Sequence, residues 1–165
     1  MILELKSVFA TEGKQLPVNC CLDMSNEEFM GLFPLKKPVT AKGSIFNRAS
    51  VVSLNLEISF EYVAPCDRCG KETACLHNVT FNKSLATSIE GEDSDTIIIV
   101  PDMRLDVDEL IFSEVILDLP TKHLCSETCK GICYLCGKDL NEGDCDCDHK
   151  EIDPRLQKLA DLLNN

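Results

Sequence analysis

The chain has 165 residues, 44% hydrophobic and 27% charged. That balance suits one folded domain with an appendage and excludes a generally disordered or collagen-like chain. Lys and Arg total 16 against 28 Asp and Glu, a formal net charge of −12. No apolar run approaches the ~20 residues of a membrane span. The start, Met1-Ile2-Leu3-Glu4-Leu5-Lys6, alternates and lacks a signal peptide's basic opening and apolar core.

Residues 2–9 and 16–22 are predicted as two short strands. Ser25-Asn26-Glu27-Glu28 has the form of a capping box, which predicts a short helix reaching about Phe33 before Pro34 stops it. Residues 39–46 are predicted as a strand that turns through Asn47-Arg48-Ala49-Ser50. The clearest strand follows at 52–62, where Val52, Leu54, Leu56, Ile58, Phe60 and Tyr62 occupy every second position, the signature of one wet face. Residues 75–85 make a third, with Val79, Phe81 and Leu85 on one face. The acidic run 91–95 reads as a solvated loop, and 96–100 as a short strand stopped by Pro101. A helix is expected from the N-cap Asp106, with Glu109 three residues on, to the residue before Pro120. Its apolar stripe is Val107, Leu110, Ile111, Val115, Ile116 and Leu119. Asp153-Pro154, an N-cap followed by a first-position proline, opens a terminal helix. The expected fold is α+β: an antiparallel β-rich body with a packed central helix over 1–120, a cysteine-rich zinc loop over 121–150, and a C-terminal helix over 151–165.

Eleven cysteines, an odd number, argue for reduced thiols in the cytoplasm. Six follow the pattern Cys125-x3-Cys129-x3-Cys133-x2-Cys136-x8-Cys145-x-Cys147. Cys133-Tyr134-Leu135-Cys136-Gly137-Lys138 is a zinc knuckle: a tight turn aims both sulfurs at one ion, and the glycine accepts the strained backbone. Cys145 and Cys147 supply two more thiolates, giving a closed structural Zn²⁺ site. Cys125 and Cys129 are near enough to replace either pair, so six candidates compete for four places. Pro65-Cys66-Asp67-Arg68-Cys69-Gly70-Lys71 has the same Cys-x2-Cys-Gly-Lys form at a strand end. It reads as a hairpin knuckle that shares one ion with the other knuckle, contributes to a second metal or partner site, or is simply a turn. Cys20, Cys21 and Cys75 read as core or surface residues.

Charge is uneven. Residues 1–90 hold nine basic and ten acidic residues, a sum of −1; residues 91–165 hold seven basic and eighteen acidic, a sum of −11. Such a C-terminal half repels a phosphate backbone, and a basic protein is its better-matched partner. Lys36, Lys37, Lys42, Arg48, Arg68 and Lys71 are the one basic grouping suited to RNA. Catalysis has little support: His77, His123 and His149 are scattered, and no phosphate-binding glycine loop is present. The alternative is a zinc- or thiol-dependent enzyme, a nuclease or an oxidoreductase using Cys66 and Cys69. A zinc store or sensor is a third reading.

The run Leu124-Cys125-Ser126-Glu127-Thr128-Cys129-Lys130-Gly131-Ile132-Cys133-Tyr134-Leu135-Cys136-Gly137, with Asp139-Leu140-Asn141 and Asp153-Pro154-Arg155-Leu156, resembles the YceD family of large ribosomal RNA subunit accumulation proteins. Pro65-Cys66-Asp67-Arg68-Cys69 matches that family's Cys-x-Arg-Cys element, and the helix from Asp106 ends similarly in Leu-Pro. Together the likeness spans most of residues 40–165. It implies a cytoplasmic bacterial protein needed for normal 23S rRNA levels, partnered with large-subunit components and not an enzyme. Some members lack the cysteine loop, which implies a scaffolding role for it. Tyr134 stands where the family pattern has proline, leaving the ligands intact but the turn less rigid.

Overall fold

The structure, a computed structural model, describes residues 1–88 and 95–147. The expected terminal helix over 151–165, His149 and most of the acidic run 91–95 lie outside the described residues. Among the described residues the protein is strand-rich, with two sheets and few helices. Strand β1 (Ile2–Glu4) is followed by helix α1 (Lys6–Ala10) and strands β2 (Gln15–Leu22), β3 (Val39–Arg48), β4 (Val51–Pro65), β5 (Glu72–Ala86), β6 (Ile97–Ile99) and β7 (Arg104–Asp106); helix α2 (Val107–Asp118) comes next. The larger sheet has the order β2-β3-β4-β5-β6, antiparallel up to β5, with β6 parallel to β5. Strands β1 and β7 form a separate antiparallel pair.

Alternation builds the body. Along β4 the even residues Val52 to Ala64 are all buried, while its odd residues are half-buried or exposed. Their neighbours across the ladder are Ile45 and Ala41 on β3 and Phe81 and Leu85 on β5. Onto this core come Leu5 and Val8 from the N-terminal segment and Val107, Ile111, Val115 and Leu119 from the segment of α2. Asp106 caps α2, its side chain accepting the Asp108 N–H, which satisfies one of the free amides at a helix start. Among the described residues no helix is long and apolar enough to cross a membrane.

Three segments differ from expectation. The predicted strand over 2–9 is a three-residue strand followed by a helical turn. The turn buries Leu5 and Val8, three residues apart on one face, and the buried Asn47 amide donates to the Val8 and Phe9 carbonyls at 2.8 and 3.3 Å. The predicted helix at Ser25 is absent: the Ser25 N–H is taken by Asp23 Oδ1 at 3.0 Å, a local turn that competes with helix. Phe29 and Leu32 then exchange both backbone bonds around Met30 (φ 50°) and Gly31 (φ 80°), the left-handed pair of a tight hairpin. The turn between β3 and β4 is likewise tighter than predicted, made by Ala49 and Ser50 alone.

Gly43 on β3 faces β4 with no room for a side chain: an added Cβ would lie 1.9 Å from the Asn55 carbonyl oxygen. Gly43→Ala is therefore expected to destabilise by on the order of 1–3 kcal/mol. The measurement is the urea midpoint; an unchanged midpoint would mean the strands separate there without cost.

Candidate metal centres

The alternation of β4 carries past its end: Cys66, two residues after Ala64, is again on the buried side and only 3% exposed. Between β4 and β5 the chain turns through the first knuckle, where the Cys66 N–H bonds to the Lys71 carbonyl at 2.9 Å and the Gly70 N–H to the Cys66 carbonyl at 2.8 Å. The second knuckle repeats this pattern: the Cys133 N–H reaches the Lys138 carbonyl and the Gly137 N–H the Cys133 carbonyl, both at 2.8 Å. Gly70 and Gly137 sit at φ 73° and 75°, the left-handed conformation that glycine adopts without penalty. The shared Cys-x2-Cys-Gly-Lys sequence thus encodes one turn used twice.

The eight knuckle and tail cysteines gather into two groups of four. Cys66 and Cys69 meet Cys125 and Cys129; Cys133 and Cys136 meet Cys145 and Cys147; within each group all four sulfurs lie within 4.8 Å of one another. The two knuckles do not converge on a single group. In the first, Cys66 and Cys129 are 3.9 Å apart and Cys69 and Cys125 3.6 Å. Four sulfurs at ~2.3 Å from a tetrahedral ion stand ~3.8 Å from each other, so the spacing fits, and it is far beyond the ~2.05 Å of a disulfide. Each group can hold a metal ion. An all-sulfur donor set suits soft or borderline ions and disfavours Ca²⁺ and Mg²⁺.

The electrostatics are those of thiols gathered for a cation. Burial works against the Cys66 thiolate, but N–H groups of Cys125, Cys69 and Arg68 outweigh it and bring the thiol down to about 6. Cys133 is also held down to about 6, first by the Cys136 N–H and, against burial, by that of Leu135; these donors are 3.5 and 3.4 Å from its sulfur. The opposite members resist ionising. Cys125 is pushed up to about 12 by its sulfur contact with Cys129 and by burial, and Cys147 to about 12 by Cys136 and burial. In the first cluster the Cys129 thiol is held down as well, against burial, by the Asn141 amide and the Gly131 N–H, while Cys69 is raised; a divalent cation lets all four deprotonate.

Groups around the first cluster hold its two segments together. Asp67 Oδ2 accepts the His123 N–H at 2.7 Å, and the Asp67 N–H returns to the His123 carbonyl at 2.9 Å. The buried His123 ring reaches the Thr73 hydroxyl at 2.8 Å and packs edge-on against Tyr62. Arg68 donates to the Cys129 carbonyl at 2.7 Å. The sequence singled out Arg68 as a partner contact; here it faces the tail backbone. The structural role of His123 was missed, because a lone histidine carries no spacing signal.

Other candidates fall elsewhere. Cys20 is half-buried, donates to Asp108 Oδ1 at 3.2 Å and is pushed up to about 11 by burial; Cys21 and Cys75 are exposed. His77 stacks on Phe60 and meets Asp118 Oδ2 at 3.2 Å. Of the basic grouping, Lys36 pairs with Glu72 at 3.0 Å and Lys37 with Glu61 at 2.9 Å.

Residues 54–163 match the family described as Large ribosomal RNA subunit accumulation protein YceD. The chain is 30% identical over 134 residues to uncharacterized protein YlbN of Bacillus subtilis (strain 168), a match covering 76% of this chain and 74% of that one. With uncharacterized protein Rv2926c of Mycobacterium tuberculosis it is 31% identical over 106 residues, 61% of this chain and 50% of the relative. With Large ribosomal RNA subunit accumulation protein YCED homolog 1, chloroplastic, of Arabidopsis thaliana it is 24% identical over 162 residues, 79% of this chain and 50% of the relative. It thus spans about half the length of the mycobacterial and plant relatives. No solved structure matches. The family match takes in the even-residue core of β4 from Leu54 on, both knuckles and all eight clustered cysteines, and on that ground the chain belongs to the YceD family.

Proposed function

We propose that this chain is a non-catalytic cytoplasmic factor that supports 23S rRNA accumulation and assembly of the large ribosomal subunit. It acts by binding a basic ribosomal protein, precursor 23S rRNA or both, with structural Zn²⁺ ordering its cysteine tail. The observation that carries this reading is the match of residues 54–163 to a family described by large ribosomal RNA subunit accumulation. The same words in the name of the Arabidopsis relative support it.

A structural rather than catalytic metal is supported by the donor set of Cys133, Cys136, Cys145 and Cys147. Four thiolates close the tetrahedron and leave no position for water or substrate. The buried position of Cys66 argues against a nucleophilic thiol there. Partner choice follows charge. The −11 of residues 91–165 favours a basic protein on that side. Lys36 and Lys37 are paired with carboxylates, which weakens the basic grouping as an RNA surface.

Depletion of the protein is expected to lower the ratio of 23S to 16S rRNA, with unprocessed 23S ends accumulating; an unchanged ratio would sink the ribosomal reading. Chelation is expected to speed amide exchange throughout 121–147 while the β3–β4–β5 ladder stays protected, because structural zinc contributes on the order of 10–16 kcal/mol to the folding of such loops. Equal protection of the whole chain with and without metal would show that zinc does not order the tail.

A further inference from the structure

The first cluster is not a local loop. Its hydrogen-bonded sulfur pairs join residues 63 and 56 positions apart, Cys66 to Cys129 and Cys69 to Cys125. It ties the tip of the β4–β5 hairpin to the segment that follows α2. Cys66 and Cys129 are 3% and 2% exposed. Four thiols so gathered present the donor set of a shared soft or borderline cation.

The two clusters are also wired together. Asn141 lies in the second cluster's loop, between Cys136 and Cys145. Its Oδ1 accepts the Lys130 N–H at 2.8 Å, and its Nδ2 donates to the Cys129 sulfur at 3.4 Å and to Asp139 Oδ1 at 2.7 Å. The Leu140 N–H bonds to the Gly131 carbonyl at 2.9 Å, and the Ile132 N–H to the Arg68 carbonyl at 3.2 Å. A Cβ on Gly131 (φ 77°) would come within 3.0 Å of that Arg68 oxygen. The connector 129–133 is thus clasped from one side by the first knuckle and from the other by the loop of the second cluster.

We propose that Cys66, Cys69, Cys125 and Cys129 hold a second metal ion that staples the tail to the β4–β5 hairpin, and that Asn141 couples its binding to that of the ion in the tail cluster. This rests on the reading of Cys133, Cys136, Cys145 and Cys147 as a zinc site. Metal in the tail cluster orders the Asn141 loop, which presents an N–H to a ligand sulfur of the other cluster. By linkage, metal in either cluster raises the affinity of the other by the same factor. Donors to ligand atoms are worth about 10–100-fold in metal affinity.

The test uses the full chain, reduced and stripped of metal. It is titrated with Co²⁺, followed by thiolate-to-metal charge-transfer absorption, and with Zn²⁺, followed by native mass spectrometry. Two ions per chain are expected, with the doubly loaded form dominating over the singly loaded one at half saturation. C125S/C129S, whose changes lie in a loop outside the sheet, should retain one ion. N141A should still bind two, with the preference for double loading lost and the first cluster weakened about 10-fold. One ion per chain, abolished by C133S/C136S and unaffected by C125S/C129S, would overturn the second site while leaving the tail zinc standing. No ion bound would remove both readings. Two ions loading statistically, with N141A identical to the unaltered chain, would overturn the coupling.

Discussion

Strand β4 is the constraint on which the rest of this structure depends. It spans 15 residues and pairs with β3 on one side and β5 on the other. Its even positions from Val52 to Ala64 are buried without interruption. Burying one large apolar side chain contributes about 1.5–3 kcal/mol, and a slip of one residue would turn every one of them to water. Register is therefore firmly held along the whole ladder. The same parity delivers Cys66 to the buried side of the hairpin tip, so the packing of the sheet positions a ligand far from its centre.

The other half of that cluster arrives by a different route. Leu119 is buried at the end of α2, and from there the chain needs only a few residues to reach the hairpin tip. Asp67 and His123 then exchange two hydrogen bonds, one to the Asp67 carboxylate and one to the His123 carbonyl, and the His123 ring meets Thr73 and Tyr62. None of these contacts needs a metal. They pre-position Cys125 and Cys129 opposite Cys66 and Cys69, and a site held in shape by its surroundings loses less entropy when it closes on an ion.

What was legible in the sequence follows from the range of the interaction that decides each feature. Period-2 alternation identified residues 52–62 as a strand, and the knuckle spacing identified both turns, because side-chain face and turn chemistry are local properties. The α2 segment was legible for the same reason: Asp106 caps it, and Val107, Ile111 and Val115 share a face. Residues 2–9 were misread because Leu5 and Val8 satisfy a helical face as well as a broken alternation; the buried Asn47 amide, 39 residues away, settles the matter. The helix expected at Ser25 had a valid capping pattern, but the Asp23 carboxylate captured the Ser25 amide and Gly31 supplied a hairpin instead. Six tail cysteines looked like competitors for four places because spacing cannot reveal that Cys66 and Cys69, some 60 residues earlier, take two of them as partners.

Charge links the metal clusters to the choice of partner. Four thiolates around one divalent cation leave two excess negative charges, in a chain that already carries −12. Each knuckle ends in Gly-Lys, and both lysines are bound into the turn by their backbones, Lys71 to Cys66 and Lys138 to Cys133. The Lys138 ammonium is spent on the Asp144 carbonyl at 2.6 Å, and Lys130 lies 3.8 Å from the Asp144 carboxylate. Lys138 and Lys130 are thus turned toward the protein's own oxygens. Loading with metal leaves this end of the molecule acidic, with Tyr134 and Leu135 exposed on the second knuckle. On the reading proposed above, a surface of that kind, acidic with an apolar tip, would disfavour bare phosphate and suit a basic, partly apolar polypeptide.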